Sequence, residues 1–294
     1  MSELVDAHHH LWDTGVRDYP WMDGPWADPI RGRFDAARYT ELIRPYGVRT
    51  SIVVQALQDV AETYDLLSVA ADPVEADSAA ADPVEGDAPG PVAGVVGWVD
   101  LTAPDVADRI AEVRASPSGR LLVGIRHLAQ DEPDPAWLLR PDVLRGVEAV
   151  GAAGLVYDVL VRPPQATAAL ELARRLPEVS FVLDHAGKPD IAGGAWEPWA
   201  GWITALAALP NVTVKLSGLV TEAAPDWEPV GILPYARHVL DSFGADRVMY
   251  GSDWPVCTLA ASYGQVFDLA REAVPAGDRD AVFGGTARRV YGLS

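Results

Sequence analysis

Cysteine is almost absent from this chain: Cys257 stands alone, so no internal disulfide can form and a zinc site built from several thiolates is excluded by count. Any metal must be held mainly by histidine and carboxylate. Basic residues are scarce too, 23 Lys and Arg against 42 Asp and Glu, and the formal charge of −19 repels phosphate backbones and anionic membrane surfaces. Nucleic acid is not an expected partner. No apolar run approaches the ~18 residues that a membrane span requires. The first residues, Met1-Ser2-Glu3-Leu4-Val5-Asp6, carry no basic region followed by an apolar stretch and a cleavage site, so the expected location is the cytoplasm. Neither Gly-x-x-x-x-Gly-Lys-Ser/Thr nor Gly-x-Gly-x-x-Gly after a strand occurs, which leaves nucleotide binding unsupported, and no Gly-x-Ser-x-Gly elbow presents a serine nucleophile.

What the chain does contain is a recurrent alternation. Short β-rich apolar runs lie at 4–8, 51–54, 92–99, 121–125, 155–159, 179–183, 212–216 and 247–250. They are continuous rather than strictly alternating, as expected of parallel strands covered by helices. Helical stripes fall between them, at 36–43, 166–176 and 266–274 among others. After the third run Thr102 is expected to cap, Pro104 and Asp105 to open the first turn, and Val106, Ile110 and Val113 to share a face. Eight strands, each followed by a helix, over 294 residues predict α/β architecture: one (β/α)₈ TIM barrel spanning 1–294, with its active site at the C-terminal strand ends.

Two segments depart from this rhythm. Ala70-Ala71-Asp72-Pro73-Val74-Glu75-Ala76-Asp77 is nearly repeated by Ala80-Ala81-Asp82-Pro83-Val84-Glu85-Gly86-Asp87, and its few large apolar residues predict a solvated, flexible acidic insertion at 72–91. The stretch 12–34 gathers Trp12, Tyr19, Trp21 and Trp26 among Asp, Gly and Pro. Following strand one, it belongs on the rim of the barrel, where its rings would either cover a ligand or plug the mouth.

Polar residues collect at the predicted strand ends. His8 and His10, two apart on strand one, face the same way, while His9 points elsewhere. A lone His-x-His says little, but Gln55, Trp98 with Asp100, Arg126 with His127, Asp184 with His185, Lys215 and Asp253 end the other strands. In a barrel, such chain-distant ends meet at one mouth. His238 falls in a predicted outer helix and reads as structural; Cys257, close after Asp253, reads as a packed thiol.

Asp6-Ala7-His8-His9-His10, Val96-Gly97-Trp98-Val99-Asp100-Leu101, Gly124-Ile125-Arg126-His127, Leu183-Asp184-His185-Ala186-Gly187-Lys188-Pro189, Lys215-Leu216-Ser217-Gly218 and Tyr250-Gly251-Ser252-Asp253-Trp254-Pro255 together resemble the lactonase branch of the amidohydrolase superfamily. That branch includes fuconolactonases, rhamnonolactonases and, more distantly, 2-pyrone-4,6-dicarboxylate lactonase. The resemblance implies a hydrolase that opens a small sugar lactone, with His8, His10 and His185 polarising the carbonyl and Asp253 accepting a proton from water. Ester hydrolysis needs a base for water and positive charge or donors for the oxyanion, and this set supplies both. Gln55, Trp98, Arg126, His127, Lys188 and Lys215 are candidates for holding substrate, although any of the cations could instead neutralise Asp184 or another buried carboxylate. Many superfamily members use a histidine at the end of strand five as a metal ligand, and Gly154-Leu155-Val156-Tyr157-Asp158-Val159-Leu160-Val161 has none. His8, His10, His185 and Asp253 would still accept one zinc ion. Because some lactonases of this kind work without metal, the expectation is a site that requires none. The rival readings are a zinc-dependent nonoxidative decarboxylase and a noncatalytic ligand-binding barrel; the only partner expected is a small-molecule lactone, with the oligomeric state open.

Overall fold

Apolar residues at successive positions let a strand pack on both faces, and all eight such runs become parallel strands in the computed structural model, which describes residues 3–72 and 91–293. In chain order they are β1 (Leu4–His9), β2 (Val48–Val54), β3 (Val92–Gly97), β4 (Leu122–His127), β5 (Val156–Val159), β6 (Phe181–Leu183), β7 (Val212–Leu216) and β8 (Val248–Tyr250). Each pairs with the next. Beyond the end of β8, the Asp253 amide donates to the His8 carbonyl at 2.8 Å and the His10 amide to the Trp254 carbonyl at 2.6 Å, which brings the sheet round almost to a closed barrel.

Helices α1 (Ala36–Ile43), α2 (Val60–Ala71), α3 (Val106–Ala115), α4 (Pro141–Ala152), α5 (Ala166–Arg175), α6 (Trp199–Ala207), α7 (Pro229–Phe243) and α8 (Tyr263–Ala273) follow the strands in turn. Asp35 and Asp59 cap α1 and α2 through backbone N–H groups, and Ser262 with Gln265 forms a capping box on α8. The expected cap at Thr102 is not formed. Its amide and hydroxyl both donate to Asp100 Oδ1, at 2.9 and 2.6 Å, and Asp105 takes the N-cap position of α3. A short-range turn to a carboxylate two residues back wins over capping three residues ahead.

The core has two parts. Outward residues of the strands, such as Val95, Ile125, Tyr157, Phe181 and Val214, pack with the helices. A smaller cluster of Val5, Ala7, Ile52, Val54, Val96, Val156, Val182 and Met249 fills the barrel interior, where Ala287 and Tyr291 of a ninth helix, α9 (Thr286–Tyr291), join it. Most of the acidic repeat expected to be an insertion at 72–91 lies outside the described residues. Among the described residues no helix is long and apolar enough to cross a membrane.

Candidate active site

Strict alternation along β1 would put Asp6 on the same side as His8 and His10. The register between β1 and β2 slips instead: Asp6 pairs with Ser51 but His9 with Val53, so β1 holds one extra residue there. Such a bulge re-aims side chains. Asp6 faces the helices, accepting the Tyr39 hydroxyl at 2.9 Å, and His9 stacks on the Tyr39 ring with centroids 3.8 Å apart. His8 and His10 face the interior. Asp6 still serves the mouth, because its Oδ1 accepts the amides of His8 (3.2 Å) and Ser252 (2.8 Å) and so ties the end of β1 to that of β8.

At the mouth, Asp253 Oδ1 lies 3.4 Å from His10 Nε2, 3.8 Å from His8 Nε2 and 4.0 Å from His185 Nε2. These four residues come from the ends of three strands, β1, β6 and β8, and all are buried. Each ring is held from behind. His10 Nδ1–H donates to the Val54 carbonyl at 2.7 Å, and His185 Nδ1 pairs with Ser217 Oγ at 2.9 Å, which turns both Nε2 atoms toward Asp253. The chain is tightly folded to achieve this: His185, Ala186, Gly187 and Lys188 all have positive φ near +50 to +70°, as does Asp253 at 58°. For residues with a Cβ that conformation costs roughly 1–2 kcal/mol each, strain of the kind found where a side chain must be aimed. Gly218 backs the His185 ring so closely that a Cβ there would stand 2.7 Å from its Cγ.

Below the mouth lies a second polar tier. Arg126 donates to Asp184 Oδ2 at 2.9 Å, and its guanidinium also contacts the carbonyl and the side-chain oxygen of Gln55. Lys215 Nζ lies 2.5 Å from Asp158 Oδ2, 3.1 Å from Asp184 Oδ1 and 3.1 Å from His8 Nδ1. Asp158 also accepts the Tyr291 hydroxyl at 2.8 and 2.9 Å. Of the residues expected to hold substrate, Gln55, Arg126 and Lys215 thus sit in this tier with their polar groups engaged. Lys188, partly buried, lies 3.8 Å from Glu222. Trp98 donates to His127 Nδ1 at 3.2 Å, and His127 stacks on Trp137 and meets Glu132 at 2.7 Å. On the rim, Trp12 packs against the His10 ring, centroids 5.8 Å apart, and Tyr19 is buried, whereas Trp26 is exposed. His238 lies on α7, bonded to the Ala200 carbonyl and ringed by Trp196 and Trp199.

Sequence reasoning assigned no role to Asp158, Tyr291, Ser217 or Asp6. Asp158 left a signal, a carboxylate amid Val156, Tyr157 and Val159, between outward-facing neighbours and therefore pointing inward. Lys215, between Val214 and Leu216, carries the same signature.

Burial sets the electrostatics. It pushes His8 and His10 below the ordinary histidine value and His185 to about 4, so the rings are neutral near pH 7. For Asp253 burial acts upward, but the neighbouring His185 and His10 and the Lys188 ammonium outweigh it and hold the carboxyl below its usual range. A neutral imidazole set around a carboxylate is a donor set suited to zinc. Ligand atoms of His8, His185 and Asp253 all lie within 4.8 Å of one another, and His10 Nε2 is 3.2 Å from His8 Nε2. The residues fit a divalent cation.

Residues 5–293 match the family described as amidohydrolase. The chain belongs to that family. It is similar to an L-fucono-1,5-lactonase of Burkholderia multivorans, 39% identical over 98% of this chain and 96% of the relative. Among solved structures it is similar to an amidohydrolase from Burkholderia multivorans with bound zinc, at 38% identity and TM-score 0.87 over 100% of both chains. A 5-carboxyvanillate decarboxylase from Sphingomonas paucimobilis shares 16% identity and a TM-score of 0.62 over 99% of both chains, a likeness of fold alone. The zinc-bound relative and the donor geometry support a metal at this amidohydrolase site; they lend nothing to the expectation that none is required.

Proposed function

We propose that the protein hydrolyses a small, neutral sugar lactone at the C-terminal ends of its barrel strands. The observation that carries this is the meeting of Asp253 Oδ1 with three imidazole Nε2 atoms at 3.4–4.0 Å, in a chain similar to an L-fucono-1,5-lactonase over nearly its whole length. Asp253 takes a proton from water as its oxygen attacks the ring carbonyl carbon. The charge that develops on the carbonyl oxygen is met by N–H donors of the histidine set, backed by the Arg126 guanidinium. As the ring C–O bond breaks, the proton held by Asp253 passes to the leaving ring oxygen, giving a hydroxy acid whose carboxyl then ionises. The preference for a neutral ring has an electrostatic basis: Arg126 and Lys215 are already paired with Asp184 and Asp158 and are not free to clamp a second substrate carboxylate. Trp12 and the partly buried Trp98 offer apolar faces for the ring.

A zinc ion bound by His8, His10, His185 and Asp253 would polarise the carbonyl as a Lewis acid. The same reading holds turnover to be independent of that ion, because His8, held through Nδ1 by Lys215 at 3.1 Å, itself supplies a donor for the carbonyl oxygen. Chelation with verified metal removal should then leave most activity, and proportional loss with recovery on adding zinc would make the metal obligatory. The substrate test is proton release from a panel of aldonolactones alongside pyrone dicarboxylate and aromatic carboxylates. Turnover of aldonolactones is expected; preference for the dicarboxylate, or carbon dioxide release from an aromatic acid, would overturn the reading.

A further inference from the structure

We propose that Lys215, Asp158 and Tyr291 form a positioning device beneath the mouth that fixes His8 in the tautomer carrying its proton on Nε2. This rests on the reading of His8 as a carbonyl-polarising group, and it names what makes that ring a donor. An ammonium has three protons, and Lys215, fully buried, hydrogen-bonds Asp158 Oδ2 at 2.5 Å and His8 Nδ1 at 3.1 Å, with Asp184 Oδ1 in ion-pair contact at 3.1 Å. Full satisfaction requires His8 Nδ1 to accept. The 3.3 Å approach of His8 Nδ1 to Asp184 Oδ1 is then two acceptors facing one ammonium rather than a bond between them. His8 Nε2 must accordingly carry the proton, and an acceptor waits for it: His10 Nδ1–H is spent on the Val54 carbonyl, so His10 Nε2, 3.2 Å away, presents a lone pair. Arg126 Nη1, 3.4 Å from His8 Nε2, is a donor that already has Asp184 Oδ2 as its acceptor at 2.9 Å.

Tyr291 keeps the device in register. Its hydroxyl lies 2.8 and 2.9 Å from the two oxygens of Asp158, and its ring lies under the ammonium, 5.6 Å from Nζ to centroid. Without the hydroxyl, Asp158 would draw Lys215 toward itself and away from His8, and the alternative tautomer, with Nδ1–H given to Asp184, would become accessible. That tautomer exposes a lone pair at Nε2. The same three residues therefore oppose zinc binding at His8 while favouring proton donation there.

The tautomer is read by nitrogen-15 NMR of histidine-labelled, metal-free protein, with His8 assigned through His8→Gln. A protonated Nε2 and a bare Nδ1 are expected; the reverse overturns the proposal whatever the enzyme's substrate proves to be. Lys215→Met should lower metal-free turnover on the best lactone about tenfold with KM changed less than about threefold, and raise affinity for zinc alone about tenfold by calorimetry. Because that variant leaves Asp158 and Asp184 short of a partner, Tyr291→Phe, which removes one oxygen, is the second arm. It should shift the His8 nitrogens toward the other tautomer and tighten zinc about threefold. Unchanged nitrogen signals and zinc affinity in folded Tyr291→Phe would reduce Tyr291 to packing. Absence of lactonase activity with the expected tautomer would fault the proposed function and leave the device standing.

Discussion

The two polar tiers inside the barrel differ in how closely their groups engage one another. In the lower tier, Lys215, Asp158, Tyr291, Arg126 and Asp184 make their principal contacts at 2.5–3.1 Å, and charges of opposite sign are interleaved. In the upper tier, the oxygen of Asp253 stands 3.4–4.0 Å from three imidazole nitrogens. The lower groups are paired charge with charge; the upper ones converge with capacity left over. Buried polar groups are costly unless paired, so a set left loosely engaged in the interior is expected where a ligand completes it. The lower tier pins the upper from behind, through Lys215 on His8 Nδ1 and Arg126 near His8 Nε2.

The largest effect is expected at the centre of the upper tier. Asparagine keeps the approximate size of Asp253 but cannot take a proton from water, so Asp253→Asn should lower turnover by roughly 10² or more with the fold intact and substrate binding less affected. Near-normal turnover in the folded variant would remove Asp253 as the base. Next in size is Gly218→Ala. Its φ is +65° and the added Cβ would meet the His185 ring at 2.7 Å, so the ring must move away from its place beside Asp253. Turnover should fall about tenfold and stability by about 1–3 kcal/mol, measured by steady-state kinetics and denaturant unfolding. Stability lost without activity would mean that the placement of His185 is not critical.

A third expected effect concerns stability alone and lies outside both tiers. Glu62, on α2, accepts the amides of Ala56 and Leu57 just beyond Gln55, and burial raises its carboxyl to about 7 from the ordinary 4.5. The folded state thus holds a proton that the unfolded chain releases above pH 4.5. The stability it gives is complete below that pH and is lost as pH rises through about 7. Glu62→Gln keeps an oxygen for both amides and removes the ionisation. Its advantage over the wild type should grow by roughly 2 kcal/mol between about pH 5.5 and 8.5, read from urea unfolding at the two pH values. A constant difference would mean that Glu62 is ionised in the folded protein throughout.

The upper tier was legible in the sequence, as were Arg126, Asp184 and Lys215 of the lower one and the chance that these cations neutralise buried carboxylates; Asp158, Tyr291 and the particular pairings were not, for a physical reason. All eight strands announce themselves as apolar runs, and His8, His10, His185 and Asp253 stand at their ends, where a polar residue interrupts the pattern at the point a barrel makes meaningful. Asp158 and Lys215 lie inside strands β5 and β7, and their partnership depends on which residues two non-adjacent strands place across the interior. No local pattern encodes that. Tyr291 is farther still, 133 residues from Asp158 on a helix beyond the eightfold repeat of strand and helix. The bulge in β1 was hidden too, because alternation alone would put Asp6 beside the histidines it supports from the outside. The cap misplaced at Thr102 shows the opposite error, a local rule overruled by a nearer carboxylate.

The smallest expected effect tests whether the tiers, rather than histidine as such, carry the activity. His238 is partly buried on α7, outside the barrel; its Nε2 lies 3.0 Å from the Ala200 carbonyl, and the ring packs among Trp196 and Trp199. None of the contacts described for it reaches Asp253 or the lower tier. A glutamine in its place would retain an N–H for the Ala200 carbonyl and much of the side-chain volume, so the loss is confined to ring packing, about 1 kcal/mol or less. His238→Gln should therefore leave turnover and KM within about twofold of wild type. Measured beside Asp253→Asn on the same lactone, it separates loss of a reacting group from general damage to the fold. A drop at His238 comparable to that at Asp253, in protein of wild-type stability, would mean that the outer helical layer governs the mouth, and the division between a chemical tier and a supporting one would fail.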